Sequence, residues 1–263
     1  MSFEHIDFAV ENGVAVLTLD RPDAANALNL QLSKELMDVS IECDENPDVR
    51  VLVIRANGKM FCAGGDLKSF ATQGERLGHG LKDLTIYLHG AISRFSRMNA
   101  PVITEVHGMA AGAGMSLAIC ADFVMAAESA GFTMAYTAAA LSPDGSSTFF
   151  LPRLVGLQRA KELMITNRRL TAAEAADWGI VSRVIPDENL RQEVDALAQQ
   201  LSVGPTAAFG SVKRLLDTTF SNGLETQMEL EAREIVNNAK GLDGREGIDA
   251  FVNKRKPSYV GKC

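Results

Sequence analysis

The chain has 263 residues, 46% of them hydrophobic and 22% charged, which is enough for one large core or a core with an appendage. A formal net charge of -7 and a pI near 5.2 argue against nucleic acid or an anionic membrane as the main partner, so an anionic ligand must rely on local cations. No stretch reaches the roughly 20 apolar residues of a bilayer span, and the N-terminus has no basic region followed by a long apolar core, so a cytoplasmic protein is expected.

In chain order, FEHIDFAV, Glu11-Asn12-Gly13 and VAVLTLD read as a hairpin turned at Asn-Gly. Asn29 can cap a helix whose apolar face carries Leu32, Leu36, Val39 and Ile41 and which ends before Pro47. VRVLVIRA, residues 49–56, is a buried strand. The stretch 68–80 has no clear period and reads as mobile; Leu81, Leu84, Leu88, Ile92 and Phe95 then recur at helical spacing. PVITEVHG is the next strand, followed by a helix over 112–120, the short strand DFVMAAE, then FTMAY and the punctuated loop ALSPDGSST. Thr171 and Glu174 form a capping box for a short helix closed by Gly179, with Trp178 as packing, and IVSRVI is the last strand. Beyond about residue 188 only helical patterns remain, so an α/β body precedes an all-helical tail.

Two glycine-punctuated turns, FCAGGDL at 61–67 and HGMAAGAGMSLA at 107–118, each follow an apolar run and leave main-chain N–H groups free. Ala63, Gly64 and Gly65, like Gly112, Ala113 and Gly114, have no side chain to block a ligand. If the turns meet, they can hold one oxygen that becomes negative during a reaction; read singly, each equally fits tight strand-to-helix packing. GMAAGAGM lacks the spacing of a dinucleotide fingerprint, and GxxxxGK is absent. Gly114-Met-Ser116-Leu-Ala118 approaches a nucleophile elbow, but the histidines are 5, 79, 89 and 107, none of them downstream. Cys43, Cys62, Cys120 and Cys263 are scattered without metal-ligand spacing, so neither a disulfide framework nor a metal site is expected.

With RPDAANALN (21–29), MFCAGGDL, APVITEVHGMAAGAGMSLA, SPDGSSTFFLPRLVG and REGIDAFVNKRKP occurring in order over nearly the whole chain, the sequence resembles the enoyl-CoA hydratase/isomerase, or crotonase, family. The resemblance implies a spiral of ββα units over residues 1–200 and a C-terminal helical trimerisation region over 201–263, with a homotrimer or a dimer of trimers as the assembly. It implies an acyl-CoA thioester substrate, with coenzyme A entering as part of that substrate and no permanently bound cofactor. Oxyanion donors are carried over to the amides of Ala63 and Ala113. Coenzyme A contacts fall on Ala24, Ala25 and Ala27, on Ala63, Gly64, Gly65 and Asp66, and on Phe251 and Lys254 in the tail, whose basic KRK run equally reads as solvated surface.

Hydratases of the family use two glutamates, at the positions of Ser116 and Tyr136 here, and neither carboxylate is present. A serine and a tyrosine near their ordinary pKa values are poor groups for activating water. One carboxylate does occur, Asp144 in LSPDGSST, where the resemblance places the single acid of Δ3,Δ2-enoyl-CoA isomerases and of phenylacetate-pathway ring isomerases. A pocket of Phe70, Met109, Leu141 and Phe149 is expected around it, raising its pKa by desolvation; Pro-Asp-Gly is also a turn signal in its own right. The double-bond shift with Asp144 as acid and base is the leading reading. The alternatives are a dehalogenase or hydrolase with Asp144 as nucleophile and His89 as base, a weak hydratase, and a non-catalytic CoA-ester binder. Ser116 and Tyr136 are then pocket residues that orient substrate, hold Asp144 or simply pack.

Overall fold

The computed structural model describes residues 3–261, so Cys263 lies outside the described residues. Strands β1 (Ile6–Glu11) and β2 (Val14–Leu19) open the chain, followed by α1 (Leu30–Glu45). Three units then repeat one plan. They are β3 (Val51–Ala56), β4 (Met60–Cys62), α2 (Leu67–Ala71) and α3 (Leu77–Arg97); β5 (Val102–Val106), β6 (Met109–Ala111) and α4 (Ala113–Ile119); and β7 (Phe123–Ala127), β8 (Gly131–Thr133), α5 (Ser147–Val155) and α6 (Leu157–Thr166). The chain continues through β9 (Leu170–Thr171), α7 (Ala172–Asp177), β10 (Arg183–Ile185) and α8 (Leu190–Ser202) to α9 (Thr206–Thr218), α10 (Leu224–Lys240) and α11 (Leu242–Val252).

The first strand of each unit joins a six-stranded sheet, β1-β2-β3-β5-β7-β10, and the second a four-stranded sheet, β4-β6-β8-β9. Within each unit the chain therefore steps from one sheet to the other and then into a helix, which is the ββα spiral. From β2 to β10 the large sheet is parallel, and β3 and β5 are buried along their whole length, as strands covered on both faces must be. The β1–β2 hairpin has Asn12 and Gly13 at φ 52° and 82°. Both are left-handed, as the expected two-residue Asn-Gly turn requires.

Two sequence expectations are corrected at this level. In α1, Asn29 caps the helix by accepting from Leu32 N–H, and Leu32, Leu36, Val39 and Cys43 face inward. Ile41 is exposed, because it lies two residues off that stripe and so on the far side of the helix. The stretch 68–80 is helical rather than irregular: Asp66 caps α2, one 3₁₀ turn spans Gly74–Arg76, and α3 starts at Leu77. Its buried anchor is Phe70, and one buried apolar residue in a five-residue helix leaves no period to read. The capping box of Thr171 and Glu174 is present on α7. Trp178 packs beneath the guanidinium groups of Arg159 and Arg168, at 4.7 and 5.0 Å.

Inside the spiral, Arg55 on β3 bonds Glu105 on β5 at 2.8 Å with both side chains buried, and Asp195 and Arg191 of α8 complete the cluster. Burial pushes the thiols of Cys43, Cys62 and Cys120 up to about 12. They are packing groups, not nucleophiles. No helix is long and apolar enough to cross a membrane among the described residues.

Candidate active site

The two glycine turns meet because β4 and β6 are hydrogen-bonded parallel neighbours, in register Met60↔Met109 and Cys62↔Ala110. Each turn leaves the same end of its strand, so the loop at 63–66 and the start of α4 lie side by side. Gly64 sits at φ 95°, and a Cβ placed there would fall 2.8 Å from Ala111 O and 3.3 Å from Ala113 N. Only glycine tolerates both that dihedral and that approach. Gly114 is constrained by close approach alone, since a Cβ there would run into Cys62 O.

The donor expected at Ala63 is corrected by this geometry. Ala63 N–H donates to Ala25 O at 3.0 Å, and Gly64 N–H faces the Cys62 sulfur. Gly65 N–H has no acceptor among the described residues, and neither does Ala113 N–H at the first turn of α4. The pair of amides open to a ligand is therefore Gly65 with Ala113, and both residues line one cavity of about 270 Å³.

That cavity also holds Asp144, Tyr136, Leu141 and Phe70, with Leu81, Leu84 and Leu88 of α3 as one wall. Met109 and Phe149, expected there, are elsewhere. Met109 pairs with Gly131 across the small sheet, its terminal methyl 2.7 Å from where a Gly131 Cβ would stand. Phe149 lies 3.5 Å beneath the Arg153 guanidinium and edge-on to Phe150, beside a second cavity that includes Lys213 and Phe209. The helical phase of α5 decides that direction.

Asp144 is not wrapped in apolar side chains, contrary to the expected desolvated setting. Its Oδ1 accepts from Tyr136 Oη at 2.7 Å, and its Oδ2 lies 3.1 Å from His89 Nε2. The aspartate side chain is 28% exposed and the histidine 48%, so the carboxylate bridges the cavity and an outer edge. Its main-chain oxygen accepts from Ser116 Oγ and Ser147 Oγ, both at 2.9 Å. Ser116 is fully buried and 3.0 Å from Tyr136 Oη. Burial, reinforced by the nearby Asp144 carboxylate, holds the Tyr136 pKa well above its ordinary value. The phenol therefore stays protonated and acts as a donor to Asp144.

Residues 24–28 lie along the first turn: besides the Ala25 contact, Leu28 N–H donates to Gly64 O at 2.7 Å and Asp66 N–H to Leu28 O at 3.0 Å. Ala25 and Asn26 are left-handed, at φ 51° and 54°. Asn26 is fully buried and holds the loop by donating to Asn57 O and Met60 O; sequence reasoning missed it, and a buried asparagine in RPDAANALN is the only signal. The Asp66 carboxylate, expected at the coenzyme, is spent within the fold: Oδ1 accepts from Ser69 N–H and Oδ2 from Arg21 Nη1 at 2.8 Å. Burial opposes its ionisation, but those hydrogen bonds win and hold the carboxyl below its ordinary range. Phe251 is 86% exposed on α11 and Lys254 is exposed beyond it. Neither lines the cavity of the same chain.

A family model described as Enoyl-CoA hydratase/isomerase matches residues 9–262. The chain belongs to the enoyl-CoA hydratase/isomerase family. Over all of both chains it is 38% identical to a "Probable enoyl-CoA hydratase" of Rhodobacter capsulatus. It is 35% identical to the 1,2-epoxyphenylacetyl-CoA isomerase of Escherichia coli, covering 96% of this chain and 97% of that one. An enoyl-CoA hydratase crystal structure from Polaromonas superposes with a TM-score of 0.91 at 34% identity, over 97% of this chain and 99% of that one. Membership of the enoyl-CoA hydratase/isomerase family fits the ββα spiral, the paired strand-end turns and the helical C-terminal region.

Proposed function

We propose that this family member shifts a double bond in an enoyl-CoA thioester, with Asp144 as the group that removes and returns the proton. The observation that carries this reading is that Asp144 is, among the described residues, the one acidic side chain lining the cavity into which the Gly65 and Ala113 amides open. The thioester oxygen accepts from both amides, each worth about 2.7–4 kcal/mol to a transition state that puts negative charge there. Polarised in this way, the thioester acidifies the C2 proton; Asp144 takes it, and protonation at C4 completes the shift. A relative named for isomerising a CoA ester, the 1,2-epoxyphenylacetyl-CoA isomerase, supports isomerisation as the broader class of reaction.

Hydration needs a base for water on one side and proton delivery on the other, and Ser116 and Tyr136 supply neither carboxylate. Asp144→Asn is expected to lower kcat for 3-enoyl-CoA by about 100- to 10,000-fold, followed as conjugated thioester absorbance, with CoA-ester affinity preserved. Turnover retained by that variant would remove Asp144 from the role, and efficient hydration of crotonyl-CoA by the wild type would favour the hydratase reading.

One observation favours a second reading. His89 Nε2 stands 3.1 Å from Asp144 Oδ2, the pair required if Asp144 attacked an aryl-CoA ester and His89 then activated water. Chloride release from halobenzoyl-CoA tests it. The functional proposal also includes assembly. Helices α9 and α10 and the loop between them leave Leu216, Phe220, Leu224 and Ile235 exposed, and a homotrimer covering them would let Phe251 and Lys254 close over coenzyme A in a neighbouring subunit.

A further inference from the structure

We propose that His89 is the outlet through which the proton held by Asp144 exchanges with solvent, so the double-bond shift delivers solvent hydrogen to C4 instead of the substrate's own hydrogen. This inference rests on the isomerase reading and adds the route of the proton to it. Tyr136 Oη occupies Asp144 Oδ1 at 2.7 Å and its phenol remains protonated. Oδ2 is the oxygen left free to accept a proton, and it is the one His89 Nε2 touches, at 3.1 Å.

Both ring tautomers fit the contact. With its proton on Nε2 the ring donates to an ionised Oδ2. With its proton on Nδ1, Nε2 accepts from Gly145 N–H at 3.2 Å and from Oδ2–H once Asp144 has taken the substrate proton. The second tautomer is the one that relays. His89 Nδ1 has no protein partner among the described residues, and the side chain is 48% exposed, so the far side of the ring meets water.

The steps balance without any redox change. The C2–H bond breaks, its proton goes to Asp144 Oδ2, and its electron pair enters the thioester as a dienolate held by the Gly65 and Ala113 amides. Oδ2–H passes its proton to His89 Nε2 while Nδ1 releases one to water. The reverse sequence recharges Oδ2 from solvent, and that proton forms the C4–H bond as the 2,3 double bond closes. Imidazoles exchange protons readily near neutral pH, so exchange competes with direct return whenever the dienolate outlives one transfer to His89. Because His89 acts through Asp144, it is a positioning and relay residue.

The test uses the full-length protein in ordinary water and a panel of straight-chain and ring-bearing 3-enoyl-CoA esters dideuterated at C2, with the label at C4 of the product read by mass spectrometry at low conversion. The wild type is expected to keep about a tenth or less of the transferable label, and His89→Gln, which can still bond the carboxylate but has no titratable nitrogen, to keep about five-fold more. His89→Ala is the second variant, with the same expectation. The retained fraction is counted per turnover, so a loss of kcat from a merely structural role does not move it. Wild-type product that keeps most of its label, or equal loss in wild type and both variants, overturns the relay while leaving the isomerase standing. No double-bond shift by the wild type on any ester would instead remove the isomerase reading, and the relay with it.

Discussion

At the residue scale, the position of one carboxylate is set by hydroxyls on two other elements. Tyr136 Oη gives Asp144 Oδ1 a 2.7 Å bond, and Ser116 Oγ fixes the same residue's main-chain oxygen at 2.9 Å. A hydrogen bond to a charged acceptor is worth about 1.5–3 kcal/mol, so Tyr136→Phe is expected to lower kcat by about ten- to a hundred-fold with a smaller change in KM. Steady-state kinetics of the proposed double-bond shift measure it, and an unchanged kcat would make Tyr136 a packing residue. Asp144 itself was legible in the sequence, because a Pro-Asp-Gly turn is local and the motif around it is distinctive. The second amide donor was not. Whether the amide of residue 63 or 65 faces the cavity depends on the pairing of Ala63 with Ala25, a contact between segments far apart in sequence that composition does not encode.

At the element scale, the site exists because two strand-to-helix turns end at the same height on adjacent strands of the small sheet. The strands and the turns could be read from apolar runs closed by glycine, whereas the pairing of β4 with β6 follows from the repeat of the whole ββα unit. Met109 and Phe149 show the limit: both lie in the expected elements, and the phase of a three-residue strand or a two-turn helix sends them to other faces. The Arg21–Asp66 contact clamps the first turn and caps α2. Its pH dependence has a definite sign. The folded carboxyl titrates below its ordinary 3.8, so its contribution is fully present above that value and is lost as pH falls through the lowered folded one. Asp66→Asn, whose amide oxygen can still cap α2 but carries no charge for Arg21, is therefore expected to lower Tm at neutral pH by the equivalent of up to about 1 kcal/mol for the lost ion pair, and to lose less Tm than the wild type on acidification. Parallel melting curves from pH 6 to 3 decide it, and identical acid slopes would show that the ion pair is not coupled to folding.

At the scale of the whole molecule, the helical tail carries more exposed apolar surface than a solitary chain needs. Leu216, Phe220 and Leu224 are 64–74% exposed on consecutive turns of α9, the following loop and the start of α10, and a patch of that kind marks an association surface. Burying one phenylalanine contributes about 1.5–3 kcal/mol, so replacing Phe220 by aspartate is expected to weaken assembly by at least about ten-fold in dissociation constant. Light scattering should find the wild type at three times the 28.3 kDa chain mass and Phe220→Asp at a lower mass at the same concentration. Function offers an independent check on that assembly. Phe251 is 86% exposed and outside the cavity of its own subunit, so if a neighbour's tail closes the coenzyme site, Phe220→Asp must raise KM for the CoA ester even though residue 220 does not line that cavity. The wild type diluted below its dissociation constant must show the same rise, while a monomer with unchanged KM would mean that each chain completes its own site.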